Sequence, residues 1–294
     1  MSMGPWHALD LPPCTLAESP RYAHGQWVWL DIDGQVLYQL AQADLWAGPL
    51  KAALQQHTLP EQMGCVLPTA NPEQWVLLGR SGLWLFANGL CTRLLPAPFD
   101  TTKHRFNDGR ADPQGRIWIS TLVDARSPAT AALYCIENQQ VALKVPNLIV
   151  GNGLAFTPRG DALFLSDTRH KTIWRYPYHQ ATGSLGEPKV IKHYTEGTAR
   201  PDGACFTADG TYWVAVLEGH RLDCFSDDGR FLRSVPLPLA KPTMPCFGGP
   251  GLNTLLVTGA PATGEWRNQA GFENACLVAC QTHHAGWPEA FAAV

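Results

Sequence analysis

One short pattern recurs along this chain and limits what it can fold into: a polar or glycine-rich turn, then four or five residues rich in Trp, Val, Ile, Leu and Phe. Its copies are Trp27-Val-Trp-Leu-Asp31, Trp75-Val-Leu-Leu-Gly79, Ile117-Trp-Ile-Ser-Thr121, Leu163-Phe-Leu-Ser-Asp167, Tyr212-Trp-Val-Ala-Val216 and Leu255-Leu-Val-Thr-Gly259. They begin 48, 42, 46, 49 and 43 residues apart, so six copies fill the 294 residues. A second short run follows most of them, as in Gln35-Val-Leu-Tyr-Gln-Leu40, Gly82-Leu-Trp-Leu-Phe86, Ala132-Leu-Tyr-Cys-Ile136, Thr172-Ile-Trp-Arg-Tyr176 and Arg221-Leu-Asp-Cys-Phe225. Turn pairs such as Asp33-Gly34, Arg159-Gly160, Asp209-Gly210 and Asp228-Gly229 punctuate the pattern. Short β-branched and aromatic runs joined by tight turns read as antiparallel strands. Several strands per unit of 40 to 50 residues is the signature of a β-propeller.

The sequence therefore predicts an all-β, six-bladed β-propeller with four-stranded antiparallel blades around a central metal-containing channel. It is expected to be one domain over residues 1–294, with the N-terminal residues completing the blade built by the C-terminal ones. A β-sandwich or two stacked β-domains fit less well, because the spacing is even and no Ser/Gly-rich linker marks a boundary. Only Leu40 to Leu54 carries a helical period, and a short helix or a polar edge strand would both satisfy it.

With 22 basic and 25 acidic side chains the net charge is −3, which disfavours nucleic acid as a partner. No uninterrupted apolar stretch approaches 18 residues, so no membrane-spanning helix is expected. Met1 to Pro20 lacks a basic region followed by an apolar run and carries Asp10 and Glu18, unlike a signal peptide. The nine cysteines are scattered without Cys-x-x-Cys spacing, as expected of reduced, buried thiols in a cytoplasmic protein. Nothing points to an obligate protein partner.

In a propeller the innermost strand of each blade precedes the aromatic-rich one. About ten residues upstream of the core runs stand Glu18, Asn107-Asp108, Asn152 and Asp202, with Cys65 and Pro245 in the other two blades. Four of six blades thus place a carboxylate or carboxamide at nearly one register, aimed at one axis. Asp-Gly and Asn-Gly are also common turn dipeptides, so the shared register carries the argument. Acidic groups bunched in a low-dielectric channel repel unless a cation neutralises them. Oxygen donors alone suit a hard divalent ion, Ca²⁺, Mg²⁺ or Mn²⁺, while Zn²⁺ stays open. Arg105 and Asn107 add a guanidinium and a carboxamide able to hold hydroxyls and a carbonyl.

At these residues the chain resembles the senescence-marker-protein/gluconolactonase family, the regucalcin-like six-bladed propellers. The resemblance runs from Glu18-Ser-Pro20 to Cys246-Phe-Gly-Gly249, and rests on Arg105-Phe-Asn-Asp-Gly109 with Asp112-Pro-x-Gly115, Asn152-Gly-Leu154, and Pro201-Asp-Gly203 with Gly210-x-x-Trp213. It implies one divalent metal, Ca²⁺ first, held by Glu18, Asn152 and Asp202. It also implies substrate contacts from Arg105 and Asn107, and hydrolysis of a sugar lactone such as glucono-, galactono-, arabinono- or xylonolactone. Asp202 would serve as ligand and general base, with the cation polarising the lactone carbonyl. Some members carry a substrate-contacting glutamate after the blade-three core strand. Here Asp124 stands one residue before that position and is the expected substitute. Two loops are expected over the channel mouth, Val123 to Thr130 and Thr258 to Phe272. The competing readings are a non-catalytic calcium-binding regulatory propeller and a metal-dependent esterase on the same fold. A WD-type scaffold is disfavoured by the missing Gly-His and Trp-Asp dipeptides.

Overall fold

The structure is a computed structural model that describes residues 3–262 and 265–294. Each of the six apolar runs forms a strand: Gln26–Asp31, Gln74–Gly79, Ile117–Val123, Ala162–Asp167, Tyr212–Leu217 and Thr254–Gly259. Nearly every residue in them is buried, because each strand is covered on both sides. Every one pairs antiparallel with a strand before it and a strand after it, giving six separate sheets. The preceding strands are Ala17–Ala23, Met63–Pro68, His104–Ala111, Gly151–Phe156, Arg200–Phe206 and Pro242–Gly248. These innermost strands contact one another in sequence, and the sixth returns to the first. The molecule is the expected six-bladed β-propeller, numbered here as blades 1 to 6.

Six hydrophobic clusters fill the six spaces between blades. Trp75 and Leu77 meet Val28, Leu30 and Leu37 between blades 1 and 2. Trp213 meets Phe247, Leu255 and Val278 between blades 5 and 6. The cluster joining blade 6 to blade 1 combines Trp27, Trp29 and Tyr38 with Leu256, Leu277 and Ala279. Ring closure is thus both apolar and hydrogen-bonded, since His7–Ala8 adds an edge strand to Leu277–Gln281, with His7 opposite Ala279. Of the helical stretch allowed at residues 40–54, only Leu50–Ala53 is helical. The chain then turns into the outer strand Leu54–Thr58, whose pairing with Val36–Leu40 outweighs the weak helical period. Blade 4 carries one extra two-residue strand, Ser184–Leu185, which pairs with the end of Thr172–His179, the strand that also pairs with the outer strand Lys189–His193.

The C-terminal segment crosses the end of the channel at which the inner strands finish. Backbone N–H groups of Trp287, Ala292 and Ala293 donate to the carbonyls of Phe206, Pro68 and Gly115, tying blades 5, 2 and 3 together. From this segment Glu289 enters the channel and accepts a 2.6 Å hydrogen bond from Arg110, 4.0 Å from the fully buried Arg21. Both arginines also donate to backbone carbonyls, Arg21 to Gly109 and Arg110 to Ala204. The charge of Glu289 therefore balances guanidinium groups that have left water. Replacing it by Gln keeps the volume but leaves that positive charge short of a counter-charge. Glu289→Gln is expected to cost about 3 kcal/mol, read as a lower urea midpoint at an unchanged slope.

Candidate active site

The inner strands do not pair regularly with their neighbours. In blades 1, 3, 4 and 5 two residues oppose one: Ser19-Pro20, Asn107-Asp108, Gly153-Leu154 and Asp202-Gly203 lie in the gaps of the register. Blades 2 and 6 slip by a single residue, at Gly64 and Thr243. A bulge breaks the two-residue alternation and re-aims the side chains beside it. Gly153 needs its glycine, since it takes φ +60° and a Cβ there would strike Ser166 and Tyr212 of the next blade. At Gly203 a Cβ would strike Met244 on blade 6.

The bulges lie near the starts of the inner strands, and there a cavity of about 300 Å³ opens on the axis. Glu18, Arg105, Asn107, Asn152 and Asp202 all line it, from blades 1, 3, 4 and 5. Asn107 donates to the Asn152 carboxamide oxygen at 3.1 Å and to the Gly151 carbonyl at 2.9 Å. Its own oxygen accepts from Arg105 at 2.9 Å. Asn152 passes the chain on to the Thr168 hydroxyl at 2.9 Å. Blades 3 and 4 are therefore linked across the cavity floor by one row of hydrogen bonds. Arg105 bonds its neighbours' oxygens and not Asp108. Asp108, adjacent to Asn107, lies outside the wall: it accepts the Leu154 N–H at 2.8 Å and faces Arg21 at 4.0 Å.

Asp124, the expected substrate contact, is not among the residues that line the cavity. Its two carboxylate oxygens accept from Arg80 of blade 2 at 2.7 and 3.2 Å. The hydrogen bonds from Arg80 hold its carboxyl below the ordinary range. Two residues on, Arg126 of the same loop reaches the cavity instead, as do Arg169 and Arg200. Sequence reasoning missed Arg126 and Arg169 because no repeat register marks them: they stand on loops of unequal length. Arg200 shares the register of Arg105, two residues before its blade's bulge, and that signal could have found it. Of the second expected loop, Ala260 lines the cavity, while Thr263 and Gly264 lie outside the described residues.

The two acids sit in an environment hostile to their charged forms. Burial, with Asp108 nearby, pushes the Glu18 carboxyl up to about 7, although the Ser19 N–H at 2.8 Å opposes this. Asp202 is pushed well above the carboxylate range, first by burial and then by Glu18. Among the described residues nothing donates a hydrogen bond to the Asp202 carboxylate. Two buried carboxylates with a single donor between them, facing one cavity, are the surroundings a divalent cation would relieve. Among the described residues no three His, Cys, Asp or Glu side chains converge to hold an ion. A cation here would depend on the Asn152 carboxamide beside Glu18 and Asp202, an all-oxygen set that fits a hard ion and would leave positions open.

Comparison with known proteins gives a consistent picture. The family profile described as "SMP-30/Gluconolactonase/LRE-like region" matches residues 16–261. The 6-deoxy-6-sulfogluconolactonase of Pseudomonas putida is 35% identical over 256 residues, 84% of each chain. Regucalcin of Oryctolagus cuniculus is 27% identical, covering 83% of each chain. Among solved structures, a calcium-binding protein, regucalcin, from Agrobacterium tumefaciens superposes with a TM-score of 0.87 at 24% identity, over 99% of this chain and 98% of that one. At that identity the likeness shows the fold.

Proposed function

The chain belongs to the SMP-30/gluconolactonase/LRE-like family, and from that membership together with the cavity we infer that it hydrolyses a sugar lactone to the aldonic acid. The observation that carries this reading is the convergence of Glu18, Asn152 and Asp202 with Arg105 and Asn107 on one axial cavity. The relative most useful for the substrate class, from Pseudomonas putida, is named for a sulfonated gluconolactone.

Asp202 takes the proton of the attacking water as general base, a role worth roughly 10²–10⁴-fold. Its carboxylate suits that role, because among the described residues no hydrogen-bond donor occupies it. The hydroxide so formed adds to the lactone carbonyl carbon. The ring C–O bond then breaks, and the departing ring oxygen takes up the proton held by Asp202 to become the hydroxyl of the open acid, which restores the carboxylate. Arg105 donates to the oxygens of the substrate and fixes its orientation, which contributes through positioning. Burial and the neighbouring charges of Arg126 and Arg80 bring its guanidinium down to about 10, so it stays cationic at neutral pH. Asn107 acts mainly by holding Asn152. Glu18, Asn152 and Asp202 would hold the divalent ion; when bound, it supplies positive charge for the oxygen on which negative charge develops. We place the reaction in the cytoplasm, in keeping with nine free thiols. No helix among the described residues is long and apolar enough to cross a membrane.

A panel of aldonolactones and of phenyl and alkyl esters, followed by acid release at constant pH, tests the reading. Lactones are expected to turn over at least tenfold faster than the esters. Faster ester cleavage would favour the esterase alternative, and no turnover of either would favour a regulatory propeller.

A further inference from the structure

Four arginines line the cavity, against two carboxylates. Two of the four are already engaged. Arg200 is held by Glu218 in a two-pronged pair at 2.6 and 2.9 Å, and Arg105 donates to Asn107 and to the Phe106 carbonyl. Arg126 and Arg169 are different. The side chain of Arg126 makes one long hydrogen bond, 3.5 Å to the Val123 carbonyl. Among the described residues, neither guanidinium meets a carboxylate within 4 Å. The acid nearest in sequence, Asp124, is taken by Arg80. The two arginines stand on the mouth loops of adjacent blades, after Ile117–Val123 and after Ala162–Asp167. Their like charges repel: Arg169 is among the groups that lower the pKa of Arg126, after burial.

A neutral sugar would be a poor match for this wall. Its hydroxyls both donate and accept, whereas a guanidinium only donates and carries full charge. A divalent cation on Glu18 and Asp202 would cancel their charge and leave the arginines in excess. Arginine pairs suit planar or tetrahedral oxyanions, which accept several charge-assisted hydrogen bonds at once.

We propose that Arg126 and Arg169 bind an acidic group on the substrate, remote from the lactone carbonyl, so that the preferred substrate is an anionic sugar lactone. The shared chemistry is a terminal oxyanion: sulfonate, phosphate or carboxylate. This rests on the lactonase reading and adds to it the residues that choose among lactones.

The test compares kcat/KM at low ionic strength for gluconolactone and for the same ring carrying a sulfonate, a phosphate or a carboxylate at carbon 6. At least one anionic lactone is expected to exceed the neutral one tenfold or more, and the ranking of the three identifies the acid. In the Arg126→Ala/Arg169→Ala protein the ratio of anionic to neutral kcat/KM is expected to fall at least tenfold. A Lys pair should recover part of that ratio, because it restores charge without the fork. Preference for the neutral lactone, or an unchanged ratio in the double variant, overturns the proposal. Absence of turnover on every lactone would sink the lactonase reading instead. Melting with 6-phosphogluconate and with gluconate then decides the arginine pair: a larger shift with the phosphorylated acid that the double variant abolishes supports it, and equal shifts overturn it.

Discussion

Asp202→Asn is expected to lower kcat/KM for lactone hydrolysis by 10²–10⁴-fold while leaving the propeller folded. The amide keeps the size of the carboxyl and removes its basicity. The same change should act in the opposite direction on stability. In the metal-free protein Asp202 and Glu18 share one buried cavity, where burial, and then the charge of Glu18, disfavours the charge of Asp202. Removing one charge relieves that repulsion, so the metal-free variant should melt at least about 2 °C above the unsubstituted protein. A variant inactive and yet more stable is the mark of a group kept for chemistry. Undiminished turnover in folded, metal-supplied Asp202→Asn would remove Asp202 from the mechanism.

Stripping divalent ions with a chelator should cut activity by a hundredfold or more, because the charge opposing the developing oxyanion is worth several kcal/mol. Readdition of Ca²⁺, Mg²⁺, Mn²⁺ or Zn²⁺ one at a time should restore it and rank the ions. Stability offers a readout independent of turnover. An ion present at about a hundred times its Kd stabilises the fold by about 2.7 kcal/mol. The pH dependence of the stripped protein also has a definite sign. Glu18 titrates near 7 when folded, against an ordinary value of 4.5, so between these values the folded state holds more protons than the unfolded one. Stability of the stripped protein should therefore be greatest below about pH 4.5, as far as Glu18 is concerned, and decline as pH rises through about 7. Saturating cation should reverse this trend, since it binds the deprotonated carboxylates. A stripped protein that keeps full activity, with a melting curve indifferent to every ion, would exclude the metal.

The two ends of the channel divide the work. At the end where the inner strands begin, bulges turn polar side chains into the cavity and leave two carboxylates short of donors. At the other, Glu289 and backbone carbonyls engage Arg21 and Arg110, although the Arg21 Nε keeps no hydrogen-bond partner, and the C-terminal segment ties three blades together. That end keeps the ring together.

The ring itself was legible in the chain, because a strand's fate depends on local pattern: six apolar runs at a period of 42 to 49 residues each need two covering neighbours, and closing a circle supplies them. Glu18, Asn107, Asn152 and Asp202 were legible for the same reason, since a repeated register maps onto a repeated place in each blade. Which neighbour a side chain meets across blades was not. Asp124 stands close in sequence to the expected contact, yet Arg80, forty-four residues earlier, takes it. Arg126, Arg169 and the counter-charge of Glu289 reached their places through loop and tail conformations. Those depend on contacts between residues far apart in the chain, and periodicity carries no information about them.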